Sequence, residues 1–137
     1  MVLVLAGCGS EKPVPYIDIT SQVHGAQFPR LERELFRSQA SLDGYLERAL
    51  PGGKLTIPKI DFAHREAILV AMGPRSSTGY ALRVVKVVET GDRIAVTVHE
   101  RTPSLGEPVI ARVTYPFVLI TIPRIDKSLL LHLQGRP

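Results

Sequence analysis

The chain has few of the residues that define several classes of small protein. It contains no Trp and one Cys, Cys8, among 137 residues, which excludes a disulfide scaffold and a Cys-rich zinc module. Aromatic residues make up only 6%, and no run of basic residues occurs despite a net charge of +4. Nucleic-acid binding favours clustered basic residues with interleaved aromatic side chains. We therefore expect no nucleic-acid partner.

What the chain does contain is typical of a small β-rich domain. Its length suffices for one domain with a single core. Eleven Pro and eleven Gly occur without any repeat, which favours short elements joined by turns. We predict a mainly β, sandwich-like antiparallel domain over residues 16–137, with one short helix in its N-terminal half. Residues 1–15 are predicted to be a signal and a linker.

The amino terminus resembles part of a bacterial lipoprotein signal. Residues 1–6 are apolar, Leu5-Ala6-Gly7-Cys8 resembles a lipobox, and residues 9–15 are a polar, Pro-containing tether. Small residues before the Cys suit the signal peptidase, and the thiol is the acceptor for the lipid. A basic n-region is absent and the apolar region is short for a signal, so we infer a start codon inside the true signal. This interpretation places the protein in the bacterial envelope, anchored to the membrane through lipid on Cys8. The alternative is a short buried strand with an incidental Cys.

Two interpretations compete for residues 29–50. Four leucines at helical spacing favour one long helix that begins near Pro29. The alternative is a strand that ends near residues 36–38, followed by a short helix over 42–50 that is capped by Ser41. We favour the second interpretation, with the helix stopped at residues 51–53.

Strands are predicted along the second half. Residues 67–72 and 117–122 are unbroken apolar runs, typical of strands buried on both faces. Residues 80–89 and 93–101 flank a Thr-Gly-Asp turn and predict a hairpin. Alternation slips at Val84-Val85, which indicates a bulge, and Ala95, Thr97 and His99 fall on the predicted polar face. A last strand is predicted over 129–133.

No catalytic motif is present in the sequence. His64 is the one histidine with acids nearby, Asp61 and Glu66, and this cluster equally fits a solvated turn. Metal sites need three or four converging ligands, and no acid pair has a spacing typical of general acid–base catalysis. We therefore predict a protein that is not an enzyme, with no metal, cofactor or small-molecule substrate.

The most distinctive segment joins two predicted strands at residues 73–80. Arg75, Ser76, Ser77 and Thr78 supply polar groups, Gly79 is interpreted as a residue of special backbone conformation, and Tyr80 as an aromatic anchor. The same residues also suit an ordinary tight turn in which Tyr80 fills the core.

An ordered set of segments resembles the PrcB family of protease-complex subunits. The segments are Ile60-Asp61-Phe62, the apolar strand to Met72, Ser77-Thr78-Gly79-Tyr80, residues 96–100 with Pro103, the Gly106 turn, and Thr114-Tyr115-Pro116 leading into 118–123. The resemblance covers residues 60–123. The family usually has Thr-Gly-Gly-Tyr, whereas this chain has one Gly at that point.

The resemblance implies a non-catalytic lipoprotein subunit that associates with and stabilises a subtilisin-like surface protease. Its partner would be another exported protein, bound through Arg75, Ser76, Ser77, Thr78, Gly79 and Tyr80 and through Pro103 and Leu105 of the following loop, since Arg and Tyr are favoured interface anchors. A second hypothesis is a chagasin-like peptidase inhibitor, since Ser77-Thr78-Gly79-Tyr80 faintly resembles the Thr-Thr-Gly loop of that family. A third is a structural envelope lipoprotein without a dedicated partner, for which no exposed apolar patch is expected around residues 73–80.

Overall fold

The described residues form two four-stranded β-sheets and one α-helix. A computed structural model describes residues 11–49 and 56–135, so the predicted lipobox and the predicted helix stop at 51–53 lie outside the described residues. The elements in chain order are β1 (Glu11–Pro13), β2 (Ile17–Asp18), a 3-10 helix (Thr20–Gln22), β3 (Leu31–Phe36), α1 (Gln39–Arg48), β4 (Arg65–Met72), β5 (Ala81–Thr90), β6 (Arg93–Arg101), β7 (Phe117–Pro123) and β8 (Ser128–Gln134).

The chain passes between the sheets several times. One sheet has the order β1-β5-β6-β8 and the other β2-β7-β4-β3. All the pairings are antiparallel except that of β6 with β8. The mainly β, antiparallel-rich prediction with one helix is confirmed. The register of β5 on β6 shifts between Val84 and Lys86, which confirms the predicted bulge.

Two hydrophobic clusters lie on opposite faces of β4 and β7. Ile68 and Val70 contribute to a cluster with β5 and β6, whereas Ala67 and Leu69 contribute to a second cluster with α1. Side chains alternate across a strand, so a strand covered on both faces must be apolar throughout. This is why the two unbroken apolar runs correctly predicted fully buried strands.

Residues 29–50 form a strand followed by a helix. The favoured interpretation is confirmed, but the predicted cap is wrong by one turn. The helix begins at Gln39, and the N-cap is Ser38, whose Oγ accepts a hydrogen bond from the Ser41 amide at 3.2 Å. The Leu42 and Leu46 side chains are fully buried. Two of the four regularly spaced leucines therefore lie on one face of α1, and the other two, Leu31 and Leu35, belong to β3.

The structure departs from the sequence predictions at three further places. Residues 11–13 of the predicted linker pair with β5, and Val14 is buried. The alternating residues 16–20 predict a first strand, but only the two residues of β2 form one before the chain continues into a 3-10 helix. Ala95 and Thr97 are 4% and 3% exposed although they lie on the predicted polar face. Their small side chains are flanked on that face by larger ones of β5 and β8, such as Lys86 and His132 beside Thr97.

The buried carboxylate of Glu66, in β4, connects the segment before β8 to the second sheet, which has the order β2-β7-β4-β3. Glu66 is fully buried and accepts a hydrogen bond from Arg37 Nε at 2.9 Å and from the Ile125 amide at 3.0 Å. Arg37 also donates to the Lys127 carbonyl at 2.9 Å. Both oxygens of the buried carboxylate are therefore paired, as burial of a charge requires.

Candidate protein-interaction surface

Two loops leave the same end of the sandwich and are hydrogen-bonded to each other. The 73–80 loop joins β4 to β5, and the 102–116 loop joins β6 to β7. Arg75 and Thr114 form a two-way backbone bridge, with N–O distances of 2.8 and 2.9 Å. Thr78 N donates to the Ile110 carbonyl at 3.0 Å, and Ile110 N donates to Thr78 Oγ1 at 2.9 Å. The shorter loop thus supports the longer one.

Arg75 points towards the sheet. Its guanidinium pairs with Glu100, which is 1% exposed, through Nε to Oε2 and through Nη2 to Oε1 at 3.2 Å. This hydrogen bonding raises the pKa of Arg75 above its ordinary value. Arg75 is predicted from the sequence to contact a partner, and the structure gives its side chain an internal contact that orients the loop.

Ser77 and Gly79 form the closely packed part of the 73–80 loop. Ser77 is buried, and its Oγ accepts a hydrogen bond from Gly79 N at 3.2 Å. The Ser77 carbonyl accepts from Thr114 Oγ1 at 2.9 Å. A Cβ at position 79 would lie 2.6 Å from Pro103 Cβ and 2.7 Å from Val109 Cγ1. Space therefore requires glycine here. The predicted special backbone conformation is wrong, because Gly79 is not among the described residues of positive φ.

The remaining predicted residues differ in their exposure. Ser76 is exposed, whereas Thr78, Tyr80 and Pro103 are half-buried. Leu105 has an exposed fraction of 107%, so its side chain is fully available at the tip of the longer loop. The structure brings Pro103 against Gly79.

A turn at residues 104–107 presents Leu105. The Glu107 amide donates to the Ser104 carbonyl at 3.0 Å, and the Ser104 amide donates to Glu107 Oε1 at 3.0 Å. Arg101 bridges the two loops by donating to Glu107 Oε1 at 2.6 Å and to the Gly79 carbonyl at 2.8 Å. The hydrogen bond from Arg101 is the largest cause that lowers the pKa of Glu107, and the hydrogen bond from the Ser104 amide lowers it further. Gly106 has a φ of +83°, a conformation that favours glycine.

The longer loop exposes four aliphatic side chains, which we call the apolar loop residues. They are Leu105, Val109, Ile110 and Val113, with exposed fractions of 107%, 39%, 61% and 59%. Only Leu105 is identified from the sequence. The sequence feature that could have identified the other three is their position between Pro108 and Pro116, where the pair Val109-Ile110 and the single Val113 occur without the alternation of a strand. Exposed clusters of this kind are typical of interaction surfaces.

The charges near the apolar loop residues are mostly neutralised within the protein. Glu107 is paired with Arg101, and Glu100 with Arg75. Arg112 is exposed and forms no ion pair with any residue that the structure describes. Among the described residues, this surface therefore combines aliphatic groups with the unpaired guanidinium of Arg112, a combination that favours an apolar partner surface bordered by carboxylates.

The histidine cluster considered in the sequence separates in the structure. His64 Nδ1 lies 2.8 Å from Asp61 Oδ2 at an exposed turn, and this contact lowers the pKa of Asp61. Glu66 points into the sheet towards Arg37. Within residues 11–49 and 56–135, no three His, Cys, Asp or Glu side chains converge as metal ligands. Over the same ranges, no helix has the length and hydropathy needed to span a membrane.

Comparison with known proteins identifies the segment that carries these loops. Residues 67–123 match the sequence model of the PrcB C-terminal family, a span that runs from β4 to β7 and includes both loops. The predicted resemblance to the PrcB family is confirmed over this segment. The match suggests a protease-complex-associated subunit. No curated protein and no solved structure shows a significant match to the chain.

Proposed function

We propose that the protein is a non-catalytic, envelope-anchored binding module that associates with and stabilises an exported protease of the subtilisin-like class. The observation that carries the proposal is the set of apolar loop residues, which are exposed on a loop that hydrogen bonds hold in place. This loop lies inside the family-matched segment. A rigid presentation reduces the entropy lost on binding. The structural-lipoprotein hypothesis predicted no such surface, so the binding module is favoured.

The contact surface of the module is formed by the apolar loop residues, with Ser76, Tyr80 and Pro103 around them. Arg75, Ser77, Thr78 and Gly79 support this surface through the contacts between the two loops. The anchor is lipid on Cys8, which the lipobox resemblance supports.

The partner is tested by capture from detergent-solubilised membranes of the native bacterium. The protein is expressed from its own locus with its upstream DNA, beside the double variant Leu105→Ala/Ile110→Ala. We expect the unmodified protein to recover an exported protease and the variant to recover at most about one tenth as much, since a few central apolar residues dominate binding. Recovered proteins are identified by mass spectrometry.

The matched control is Tyr16→Ala/Ile17→Ala, which removes two other exposed apolar side chains. Tyr16, just before β2, is 37% exposed, and Ile17, in β2, is 55% exposed. Equal loss in both double variants would contradict the assignment of the surface. Capture of no exported protein by the folded, membrane-bound protein would contradict the binding module itself. A Cys8→Ser variant that still incorporates labelled fatty acid would contradict the anchor.

A further inference from the structure

A cavity of about 270 Å³ opens beside the loops and is lined by both aromatic and charged residues. Phe28, Pro29 and Tyr45 supply ring surfaces, Arg30 and Arg48 supply guanidinium groups, and Glu32 supplies one carboxylate. The cavity lies at the end of the second sheet that carries the two loops, because a Cβ at Gly73 would be 3.1 Å from Arg30 Cα.

Both guanidinium groups of the cavity are without ion pairs in the part of the chain that the structure describes. Neither Arg30 nor Arg48 forms an ion pair or side-chain hydrogen bond with the described residues, Glu32 included. Arg48 lies over the Tyr45 ring, with Cζ 5.5 Å from the ring centroid. The face of an aromatic ring attracts a cation, so this contact favours a position of the Arg48 guanidinium beside the cavity, and its N–H donors make no hydrogen bond with the described residues. Such a planar set of donors matches a carboxylate.

The aromatic residues give the cavity a fixed floor. Phe28 is 1% exposed, lies 6.1 Å from Tyr45 in a stacked arrangement and 5.3 Å from Phe117 edge-on. Tyr45 is also held edge-on by Phe36 at 5.3 Å. A ring network packed on several sides resists rearrangement, so the floor is formed before any ligand arrives.

The cavity continues towards the 102–116 loop. A second hollow of about 190 Å³ shares Pro29, Arg48 and Ala49 with the first and reaches Tyr115. An extended ligand therefore has a path from the cavity along the surface. A compact ligand would occupy only the first hollow.

We propose that this cavity binds a terminal carboxylate carried on an apolar residue, with the C-terminal residue of a peptide as the ligand. Arg30 and Arg48 receive the carboxylate, the aromatic floor receives the side chain, and Glu32 accepts the residue's amide N–H. The second hollow receives the preceding residues. The site does not depend on the proposed function, since its ligand is tested with peptides alone.

The test is a calorimetric or NMR titration of the purified full chain with three ligands. They are the peptide acetyl-Ala-Ala-Ala-Phe with a free carboxylate, the same peptide with a C-terminal amide, and acetyl-phenylalanine. We expect amidation to weaken binding at least about tenfold, because charge-assisted hydrogen bonds are the stronger ones. Tighter binding of the tetrapeptide than of acetyl-phenylalanine identifies a chain terminus, and equal affinity identifies a small free carboxylate.

The matched variants are Arg48→Gln and Arg83→Gln, because Arg83 is an exposed arginine of β5 with no ion pair to the described residues. Arg48→Gln is expected to weaken binding of the tetrapeptide at least about tenfold and Arg83→Gln less than about twofold, since Arg48 lines the cavity and donates to the ligand whereas Arg83 does not line it. Equal effects of the two variants, equal binding of acid and amide, or no binding at millimolar concentration would each overturn the site. Circular dichroism confirms that both variants are folded.

Discussion

At the scale of the residue, two glycines of this chain have opposite surroundings. Gly79 is enclosed by Pro103 and Val109, whereas a Cβ at Gly44, inside α1, would meet nothing within 4 Å. Neither has a positive φ, so an alanine at either position has an allowed backbone. The effect of substitution is therefore decided by space at position 79 and by helix propensity at position 44.

We expect Gly79→Ala to lower the free energy of unfolding by about 1–3 kcal/mol, since an added methyl group in a packed site forces its neighbours apart. Gly44→Ala is expected to raise it by about 0.5–1 kcal/mol, because alanine has the higher helix propensity. Urea unfolding measures both. A Gly79→Ala protein as stable as the unmodified one would show that the two loops are not packed as described.

Tyr45 provides a second residue-scale prediction. Its hydroxyl is buried and has no hydrogen-bond partner among the described residues, which is costly for a polar group. We expect Tyr45→Phe to leave the free energy of unfolding unchanged or to raise it by about 1–2 kcal/mol, since the ring contacts remain. Thermal unfolding of the two proteins measures the difference, and a clear loss of stability would reveal a partner for the hydroxyl.

At the scale of the element, strands were easier to predict than loops. The apolar run at 67–72 identifies β4 because both of its faces are covered, and the clean alternation around Ile94 identifies the buried face of β6. The predicted N-cap, Ser41, is wrong because local sequence does not distinguish two serines three residues apart. The end of β3 at Phe36 places the helix start at Ser38 instead. The backbone of Ile110 is hydrogen-bonded to Thr78, a contact between distant residues that no local pattern encodes.

The 104–107 turn is expected to loosen in acid. The folded pKa of Glu107 lies below its ordinary value of 4.5, so its stabilising contribution is fully present above pH 4.5 and is lost as the pH falls through the lower folded value. Amide exchange of Ser104, followed by NMR between pH 6 and pH 3, measures the loss. A Glu107→Gln protein is the control, because its exchange, corrected for the intrinsic rate, should show little such dependence. Identical profiles for the two proteins would contradict the assignment.

At the scale of the whole molecule, β4 and β7 connect the two hydrophobic clusters. Each contributes side chains to both, and β4 is paired on both edges, by β3 and β7. Neither cluster is complete without them. Unfolding of either strand therefore exposes both clusters at once, and this predicts a single cooperative transition.

Hydrogen exchange under native conditions tests this arrangement. We expect the amides of β4 between Ala67 and Ala71 to exchange only through global unfolding, and those of the two-residue strand β2 to exchange at least roughly 100-fold faster through local opening. Residue-resolved exchange by NMR provides the rates. Similar protection in both strands would mean that β2 unfolds together with the core.

The interleaved order of the strands has a consequence for how the chain is made. Strand β1 cannot pair until β5 has been synthesised, and β2 cannot pair until β7 has been synthesised. The parallel partner of β6 is β8, the last strand in the chain. During synthesis, neither sheet is complete until the strands between residues 117 and 134 have left the ribosome. We therefore expect neither sheet to be completed until most of the chain has been made. That property is compatible with threading through a narrow translocation channel before folding begins.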